Sequence, residues 1–175
     1  MNFHYHFIIN EHAASGRAKV AAKSVLEDAK KTVTYTTHYS EYPGHVYTLI
    51  QELLPQLHAF SPEETEEIFP LLVVIGGDGT LHEVMNALYP DHLDIPVAYI
   101  PSGSGNDFSR GIHLDRSPLK AWEQVKKCQQ PQDVNLITYE EAISQRHGVL
   151  VNNLGVGLDA SIVHATNDSA SKSAL

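Results

Sequence analysis

The segment LLVVIGGDGTLHEVMNAL, residues 71–88, places a short apolar run directly before three closely spaced glycines. The continuous apolar residues of 71–75 predict a strand that is buried on both faces, as in a parallel sheet. The apolar residues that follow recur at helical spacing and predict one buried helix face: Leu81, Val84, Met85 and Leu88. A buried strand that leads into such a helix indicates an α/β sheet, which binds ligands at the carboxyl ends of its strands.

The rest of the chain repeats this alternation and contains no internal repeat or long linker. Alternating or β-branched residues predict strands at 3–9, 32–39 and 95–101. Helical spacing predicts a helix within 11–31 that is entered through a Ser-Gly turn, and another at 42–54. An N-cap serine, a proline and first-turn acids predict a helix at 61–69, and a further helix is expected at 117–128. Residues 133–140 and 146–155 predict two strands of a hairpin. The predicted fold class is therefore α/β, with a mostly parallel sheet between two layers of helices.

Composition limits the possible functions. A chain of 175 residues fits one domain, and a net charge of −9 disfavours a nucleic-acid binder. A polyphosphate ligand stays possible, because backbone amides or a metal ion can supply positive charge locally. One cysteine, no signal peptide and no long apolar stretch together predict a cytoplasmic protein. HEVMN at 82–86 lacks the second histidine of the zinc motif HExxH, so no zinc site is expected.

Asp78 raises two alternatives for the first glycine loop. A carboxylate repels a polyphosphate unless a divalent cation lies between them, so one interpretation is a Mg²⁺–nucleotide site. The other is a turn acid that caps helix backbone, and spacing alone does not separate the two. Thr80 and Glu83 form the pattern T-x-x-E, which predicts a capping box at the start of the helix.

Two other loops follow predicted strands in the same way. Residues 102–105 read SGSG and lead into Asn106 and Asp107, and residues 10–17 contain Gly16 and Arg17 after the first strand. If their strands are neighbours, the two glycine loops lie at one sheet edge and form a nucleotide cleft. Arg17 either contacts a phosphate or is simply solvated. Walker, Rossmann and α/β-hydrolase signatures are missing.

Three motifs in this order resemble the catalytic domain of diacylglycerol kinases and their relatives, the bacterial lipid kinases and sphingosine kinases. They are GGDGTLHEVMNAL, IPSGSGNDFSRGI and VNNLGVGLDA, and the resemblance extends from about Phe7 to Ala160. It implies ATP- and Mg²⁺-dependent phosphorylation of a lipid hydroxyl, by a protein that contacts membranes transiently. It also implies an N-terminal domain similar to those of NAD kinases and phosphofructokinases, which share the Gly-Gly-Asp-Gly turn.

The resemblance also assigns residues. It implies that Asp78 is catalytic and that the nucleotide is bound by Asn10, Gly16, Arg17, Ser40, Gly76, Gly77, Asp78, Gly79, Thr80, Leu81, His82, Ser104, Asn106 and Asp107. Some positions depart from the usual pattern: Glu11 replaces a proline, His45 and Asn135 replace aspartates, and His82 replaces an asparagine.

In this family an antiparallel β domain follows the GLDA segment and carries the catalytic base and most of the lipid pocket. The sequence stops at Leu175, so we expect an N-terminal portion that is inactive alone. Two alternatives stay open. An NAD kinase would keep the Asp78 loop, although residues 101–111 fit the lipid kinases better. A non-catalytic nucleotide-binding protein would keep the cleft without the base.

Overall fold

The structure is a computed structural model, and it describes residues 2–63 and 68–152. Within these ranges the strands are β1 (Asn2–Ile9), β2 (Thr34–Tyr39), β3 (Ile68–Gly76), β4 (Val97–Pro101), β5 (Ile137–Glu140) and β6 (His147–Leu150). The helices are α1 (Arg17–Thr32), α2 (His45–Leu53), α3 (Asp78–Leu88), α4 (Asp107–Gly111) and α5 (Pro118–Lys127), with 3₁₀ turns at Ala13–Gly16 and Leu54–Gln56. None of the helices in these ranges could cross a membrane as an apolar span.

The main sheet has the strand order β2-β1-β3-β4, and all three of its pairings are parallel. Ile9 pairs with Ile75, and Ile75 pairs with Ile100, so the carboxyl ends of β1, β3 and β4 lie at the same edge. Parallel neighbours need crossover connections, and here helices provide them. The condition under which the two glycine loops lie at one sheet edge is therefore met, because β3 and β4 are neighbours.

Helices cover both faces of the sheet, which confirms the predicted fold class. On one face α2 and α3 bury a core of Ile8, Val46, Leu49, Ile50, Leu53, Leu57, Leu72, Val74, Leu81, Val84, Ala87, Leu88, Ile95 and Tyr99. On the other face α1 and α5 bury Tyr5, Phe7, Ile9, Ala22, Val25, Ala29, Val73, Ile75, Ile100, Trp122 and Val125. Within 71–75, Leu72 and Val74 lie in the first core, Val73 and Ile75 lie in the second, and Leu71 packs against the second. Burial on both faces explains why this run contains no polar residue.

The predicted hairpin is confirmed, since β5 and β6 pair antiparallel, although β5 begins at Ile137 and not at residue 133 as predicted. Asn86 attaches this pair to α3. The Asn86 Nδ2 donates to the carbonyl oxygen of Val149 at 3.0 Å, and Asn86 Oδ1 accepts from the Val149 N–H at 3.0 Å. Gly148 leaves room for this contact, since a Cβ there would lie 2.3 Å from Asn86 Oδ1. The part of the predicted second strand beyond residue 152 lies outside the described residues.

Two local predictions are wrong. The helix predicted at 61–69 does not extend to its end, because Ile68 and Phe69 already belong to β3, and residues 64–67 lie outside the described part. The strand extends because Phe69 is fully buried, which outweighs the acidic, helix-favouring residues before it. The capping box is wrong because α3 begins at Asp78 with Gly77 as N-cap and no side-chain cap, which places Thr80 inside the first turn.

Candidate active site at the carboxyl edge of the sheet

The topology places a crevice between the carboxyl ends of β1 and β3. From β1 the chain crosses through α1, over one face, to β2 on the outer side. From β2 it crosses through α2, over the opposite face, to β3 on the other side of β1. The strand order therefore reverses direction between β1 and β3, and open α/β sheets bind ligands outside such a reversal.

A cleft of about 390 Å³ opens at this point. Its lining residues come from the loops after β1, β3 and β4 and from the first two turns of α3: Asn10, Ala13, Ala14, Gly77, Asp78, Gly79, Thr80, Glu83, Gly103, Ser104 and Gly105. The structure thus brings together six of the residues implied by the resemblance: Asn10, Gly77, Asp78, Gly79, Thr80 and Ser104. Three loops that are far apart in sequence form one surface.

The two glycine loops touch backbone to backbone at Gly77 and Gly103. A Cβ on Gly103 would lie 2.5 Å from the Cα of Gly77, and a Cβ on Gly77 would lie 3.2 Å from the Cα of Gly103. Gly76, the last residue of β3, is confined by the helix that follows it, because a Cβ there would lie 2.6 Å from the Thr80 side chain. Packing inside the protein therefore explains why Gly76, Gly77 and Gly103 carry no side chain.

Gly79 is different from these three glycines. A Cβ at this position would meet no atom within 4 Å, and its φ is not in the left-handed region. It lies in the first turn of α3, where glycine is a poor helix former. Nothing within the described protein requires a glycine here, yet the residue lines the cleft. The open space beside Gly79 suits a ligand that must approach the backbone closely.

The Asp78 carboxylate links the first glycine loop to the second. Its Oδ2 accepts the N–H of Asp107 at 3.1 Å, and its Oδ1 accepts the N–H of Phe108 at 3.3 Å. These two N–H groups belong to the first turn of α4, which has no intrahelical partner for them. Asp78 therefore caps a helix that begins 29 residues later, while its side chain also lines the cleft.

Asn106 shapes the second glycine loop from within. Its Oδ1 accepts the Gly103 N–H at 2.8 Å, its Nδ2 donates to the Gly103 carbonyl oxygen at 2.9 Å, and its own φ is 57°. The hydroxyl of Tyr99 donates to the same Oδ1 at 3.3 Å. Both polar atoms of the Asn106 amide therefore bond within the loop, and Asn106 does not line the cleft. Burial, and then the nearby Asp78 carboxylate, raise the pKa of Tyr99 above its ordinary value, which keeps that hydroxyl a donor.

A hydrogen bond between Asn10 and Thr80 joins the loop after β1 to the first turn of α3. The Asn10 Nδ2 donates to Thr80 Oγ1 at 3.1 Å, and the Asn10 N–H donates to the carbonyl oxygen of Ile75 at 3.1 Å. Thr80 is 4% exposed and Asn10 is half-buried, so the bond is partly shielded from solvent. It joins the end of β1 to the first turn of α3 in the wall of the cleft.

Glu83 is a cleft residue that the sequence pattern assigned to a cap. Burial raises the pKa of its carboxyl, while the charge of His82 and a hydrogen bond from the Gly44 backbone lower it. Sequence reasoning also missed Ala13 and Ala14 as lining residues, and it placed Gly103 and Gly105 in the second glycine loop of the predicted cleft without assigning them a contact. Their position in loops that directly follow strands was the available signal.

Several implied nucleotide contacts do not line the cleft: Gly16, Arg17, Ser40, Gly76, Leu81, His82, Asn106 and Asp107. Arg17 is exposed, and its Nε donates to the Ala14 carbonyl oxygen at 3.4 Å. Asp107 pairs with Arg110 at 3.0 Å. The Leu81 side chain lies in the core, and its N–H donates to the carbonyl oxygen of Gly77 at 3.1 Å. The ring of His82 lies against Asn86, at 3.3 Å between Nε2 and Nδ2.

The charge around the cleft is negative. Asp78 and Glu83 both line it, and no lysine or arginine is found among the lining residues of the described chain. The described residues also contain no group of three or more side chains suited to hold a metal ion by themselves. Positive charge for a polyphosphate would therefore have to come from backbone amides or from a cation that the ligand brings with it.

Comparisons with known proteins agree with this geometry. Residues 4–137 match the diacylglycerol kinase catalytic domain, and the chain belongs to this family. It is 32% identical over 167 residues to "Putative lipid kinase YtlR" of Bacillus subtilis (strain 168), covering 90% of this chain. It is 41% identical over 65 residues to "Diacylglycerol kinase" of Staphylococcus carnosus (strain TM300), covering 37% of this chain and 21% of that protein. The family predicted from the three motifs is confirmed.

Among solved structures, the chain resembles "A putative diacylglycerol kinase from Bacillus anthracis str. Sterne", with a TM-score of 0.57 and 23% identity. That match covers 70% of this chain and 41% of the other, and at this identity it shows the fold alone. The chain spans 48% of the length of the Bacillus subtilis relative.

Proposed function

We propose that this chain forms the ATP-binding part of a Mg²⁺-dependent lipid kinase, which transfers the γ-phosphate of ATP to a lipid hydroxyl. The observation that carries the proposal is Gly79, a helix-destabilising residue that the described protein does not need for its own packing and that faces the cleft. A phosphate group that approaches the first turn of α3 would make use of the open space and of the N–H groups at the start of the helix, which no side chain caps.

The residues of the cleft fit Mg²⁺ bound together with phosphate. Magnesium in kinases takes one or two carboxylates, several waters and the phosphate oxygens, which is a smaller protein contribution than a resident metal requires. Asp78 would hold the ion, and Glu83 lies on the same wall to share its charge. When bound, Mg²⁺ supplies the positive charge that offsets the negative charge of the phosphates during transfer.

The chain's own residues would position the phosphates. The contact between Gly77 and Gly103 sets the separation of the two loops, so their amides would face a ligand in a fixed arrangement. Asp78 keeps α4 in place through the N–H groups of Asp107 and Phe108, and the bond from Asn10 to Thr80 fixes the opposite wall. Preorganised donors of this kind lower the cost of stabilising charge in phosphoryl transfer.

The lipid acceptor is supported by the relatives, which are named as lipid kinases and diacylglycerol kinases. Diacylglycerol or a related lipid alcohol is the proposed substrate, reached by transient contact with a membrane. Because the chain spans 48% of the Bacillus subtilis relative, we assign only nucleotide and metal binding to the described residues. We expect the 175-residue chain by itself to bind Mg-ATP weakly and not to phosphorylate lipid.

The nucleotide half of the proposal is tested by calorimetry on the 175-residue chain. We expect ATP to bind in the presence of Mg²⁺ and to bind much more weakly when EDTA removes it. Absence of any magnesium-assisted ATP binding by the folded chain would refute the proposal. The acceptor half is tested with the complete natural polypeptide and labelled ATP, where label in diacylglycerol supports a lipid kinase and label in NAD supports the alternative.

A further inference from the structure

Three histidine rings lie together on one face of the sheet, where β1 pairs with β2. The His4 and His6 rings are 4.8 Å apart between centroids, and the His6 and His38 rings are 6.1 Å apart with 29° between their planes. His6 is buried, whereas His4 and His38 are partly exposed. Because the charge of histidine ordinarily changes between about pH 5 and 8, this histidine cluster (His4, His6 and His38) is where mild acid acts on the sheet.

A threonine hydroxyl joins two of these rings across the strand pair. Thr36 Oγ1 lies 3.0 Å from His6 Nδ1 and 3.3 Å from His38 Nε2. A hydroxyl has one proton, so it donates to one ring nitrogen and accepts from the other, which suits two neutral imidazoles. If both rings were charged, both nitrogens would be donors and the hydroxyl proton would lose its acceptor. The hydrogen bonds of the closed sheet therefore fit the uncharged cluster.

The groups that surround His6 oppose a proton on it. Burial is the largest effect, and together with repulsion from His4 on β1 and His38 on β2 it lowers the pKa of His6 to about 4. Its partner in the β3 register is the apolar Leu72. From α2, the Glu52 carboxylate attracts a proton to His38, but burial is the larger effect and lowers the pKa of His38 as well. As the pH falls, an opened sheet therefore takes up protons on these rings before the closed sheet does.

β2 is the strand that can separate from His6 at the lowest cost. It is the outer strand of the order β2-β1-β3-β4, so it pairs with β1 alone within this sheet, whereas β1 pairs on both sides. None of its six residues is fully buried. Elements with few buried contacts open at a lower free energy than the centre of a sheet. Both neighbours of the His6 ring across the strand pair, Thr36 and His38, would leave with β2.

We propose that the histidine cluster is an acid-sensitive switch, in which protonation of the rings separates β2 from β1 while the rest of the main sheet stays folded. This inference goes beyond the proposed function and does not depend on nucleotide binding. β2 continues into the loop that contains Gly44, whose N–H donates to the Glu83 carboxylate in the cleft. Release of β2 in acid would therefore loosen that wall of the cleft.

Hydrogen exchange of the 175-residue chain at pH 7 and pH 5 tests the proposal, with protection factors corrected for the intrinsic pH dependence of exchange. The β2 amides are compared with those of Val73 and Val74, which are fully buried in the inner strand β3. The variants are His6→Asn and, as the matched control, His92→Asn, since His92 is exposed and lies outside the cluster. NMR titration of the His6 ring in the wild type keeps the test valid even if His6→Asn does not fold.

We expect the protection of the β2 amides to fall about 20-fold between pH 7 and pH 5. This ratio follows when a ring with a pKa of about 4 in the closed sheet regains its ordinary value of 6.5 on opening. At pH 5 the β2 amides should be less protected than those of Val73 and Val74. The decrease should be much smaller in His6→Asn and as large as in the wild type in His92→Asn.

Three results would overturn the inference. The first is equal protection of β2 and β3 at pH 5, which would mean that β2 opens only with the whole sheet. The second is the same decrease in His6→Asn as in the wild type. The third is a His6 ring that titrates near pH 6.5 in the folded protein. Each of these results leaves the proposed function standing, because none of the measurements involves a nucleotide.

Discussion

Replacing Gly79 by alanine should make the protein more stable and a poorer nucleotide binder at the same time. Gly79 is the second residue of α3, and a Cβ there meets no atom within 4 Å. Alanine is favoured over glycine in helices by about 0.5–1 kcal/mol, and the first turn should give the lower part of that range. The expected change in the free energy of unfolding is a gain of about 0.5 kcal/mol.

The same methyl group would project into the space that we assign to phosphate. Overpacking a fitted contact costs about 1–3 kcal/mol, which corresponds to about a 5- to 150-fold weaker affinity for Mg-ATP. Urea unfolding measures the first effect, and calorimetric titration with Mg-ATP measures the second. The opposite signs separate a ligand-contact role from a folding role.

Two other glycines provide the controls. Gly111 ends α4, has open space around its Cβ position and lies outside the cleft lining, so Gly111→Ala should leave affinity unchanged. Gly103→Ala should reduce both stability and affinity. Its Cβ would lie 2.5 Å from the Gly77 Cα, whereas carbon atoms pack at about 3.5–4.0 Å, so the two loops would have to separate by about 1 Å. Gly79→Ala with wild-type affinity for Mg-ATP would refute the assignment of the phosphates to α3.

Three further predictions concern charge and the hairpin. Burial, with smaller effects of His4 and His38, lowers the pKa of His6 to about 4 from 6.5, so the unfolded chain takes up a proton first as the pH falls. The free energy of unfolding should therefore decrease between pH 6.5 and pH 4 by about 3 kcal/mol, and urea titrations of His6→Asn should show a smaller decrease. Asn86→Ala removes the hydrogen-bond partner of both the N–H and the carbonyl oxygen of buried Val149, so it should destabilise the chain by about 1–3 kcal/mol. Hydrogen exchange at the Val149 amide should be faster than in wild type. Unchanged exchange would contradict the attachment of the hairpin through Asn86. Asp78→Asn in the complete polypeptide should lower lipid-kinase turnover by orders of magnitude with the fold retained, and near-normal turnover would leave Asp78 only its capping role.

Much of the fold could be predicted from local sequence, because its signals are short-range. The apolar run 71–75 identified a strand buried on both faces, and the helical spacing of α1 and α3 identified the faces that are buried. The helix predicted at 61–69 failed at Ile68 and Phe69, where tertiary burial overrides local propensity. Local pattern also placed Thr80 in a capping box, although its hydroxyl pairs with Asn10, 70 positions earlier.

The parts of the site that escaped prediction all depend on strand adjacency. The capping of α4 by Asp78 needs β3 beside β4 in the observed register, and no spacing rule within either loop contains that information. The contact between Gly77 and Gly103 arises in the same way. The link between Glu83 and Gly44 depends on how α2 packs against α3. The order of the motifs identified the loops that form the cleft, whereas the contacts between those loops follow only from the three-dimensional arrangement.

The meeting of Gly77 and Gly103 has a consequence for changing the ligand of such a protein. Because the backbones of Gly77 and Gly103 touch directly, no side-chain rotamer can widen or narrow the cleft at this point. Substitutions at these two glycines therefore cannot change its shape gradually. Variation is available at the rim, where Ala13, Ala14 and Ser104 carry side chains over the same opening. A mutant library intended to change what the cleft binds should therefore be randomised at Ala13, Ala14 and Ser104 and kept constant at Gly77 and Gly103.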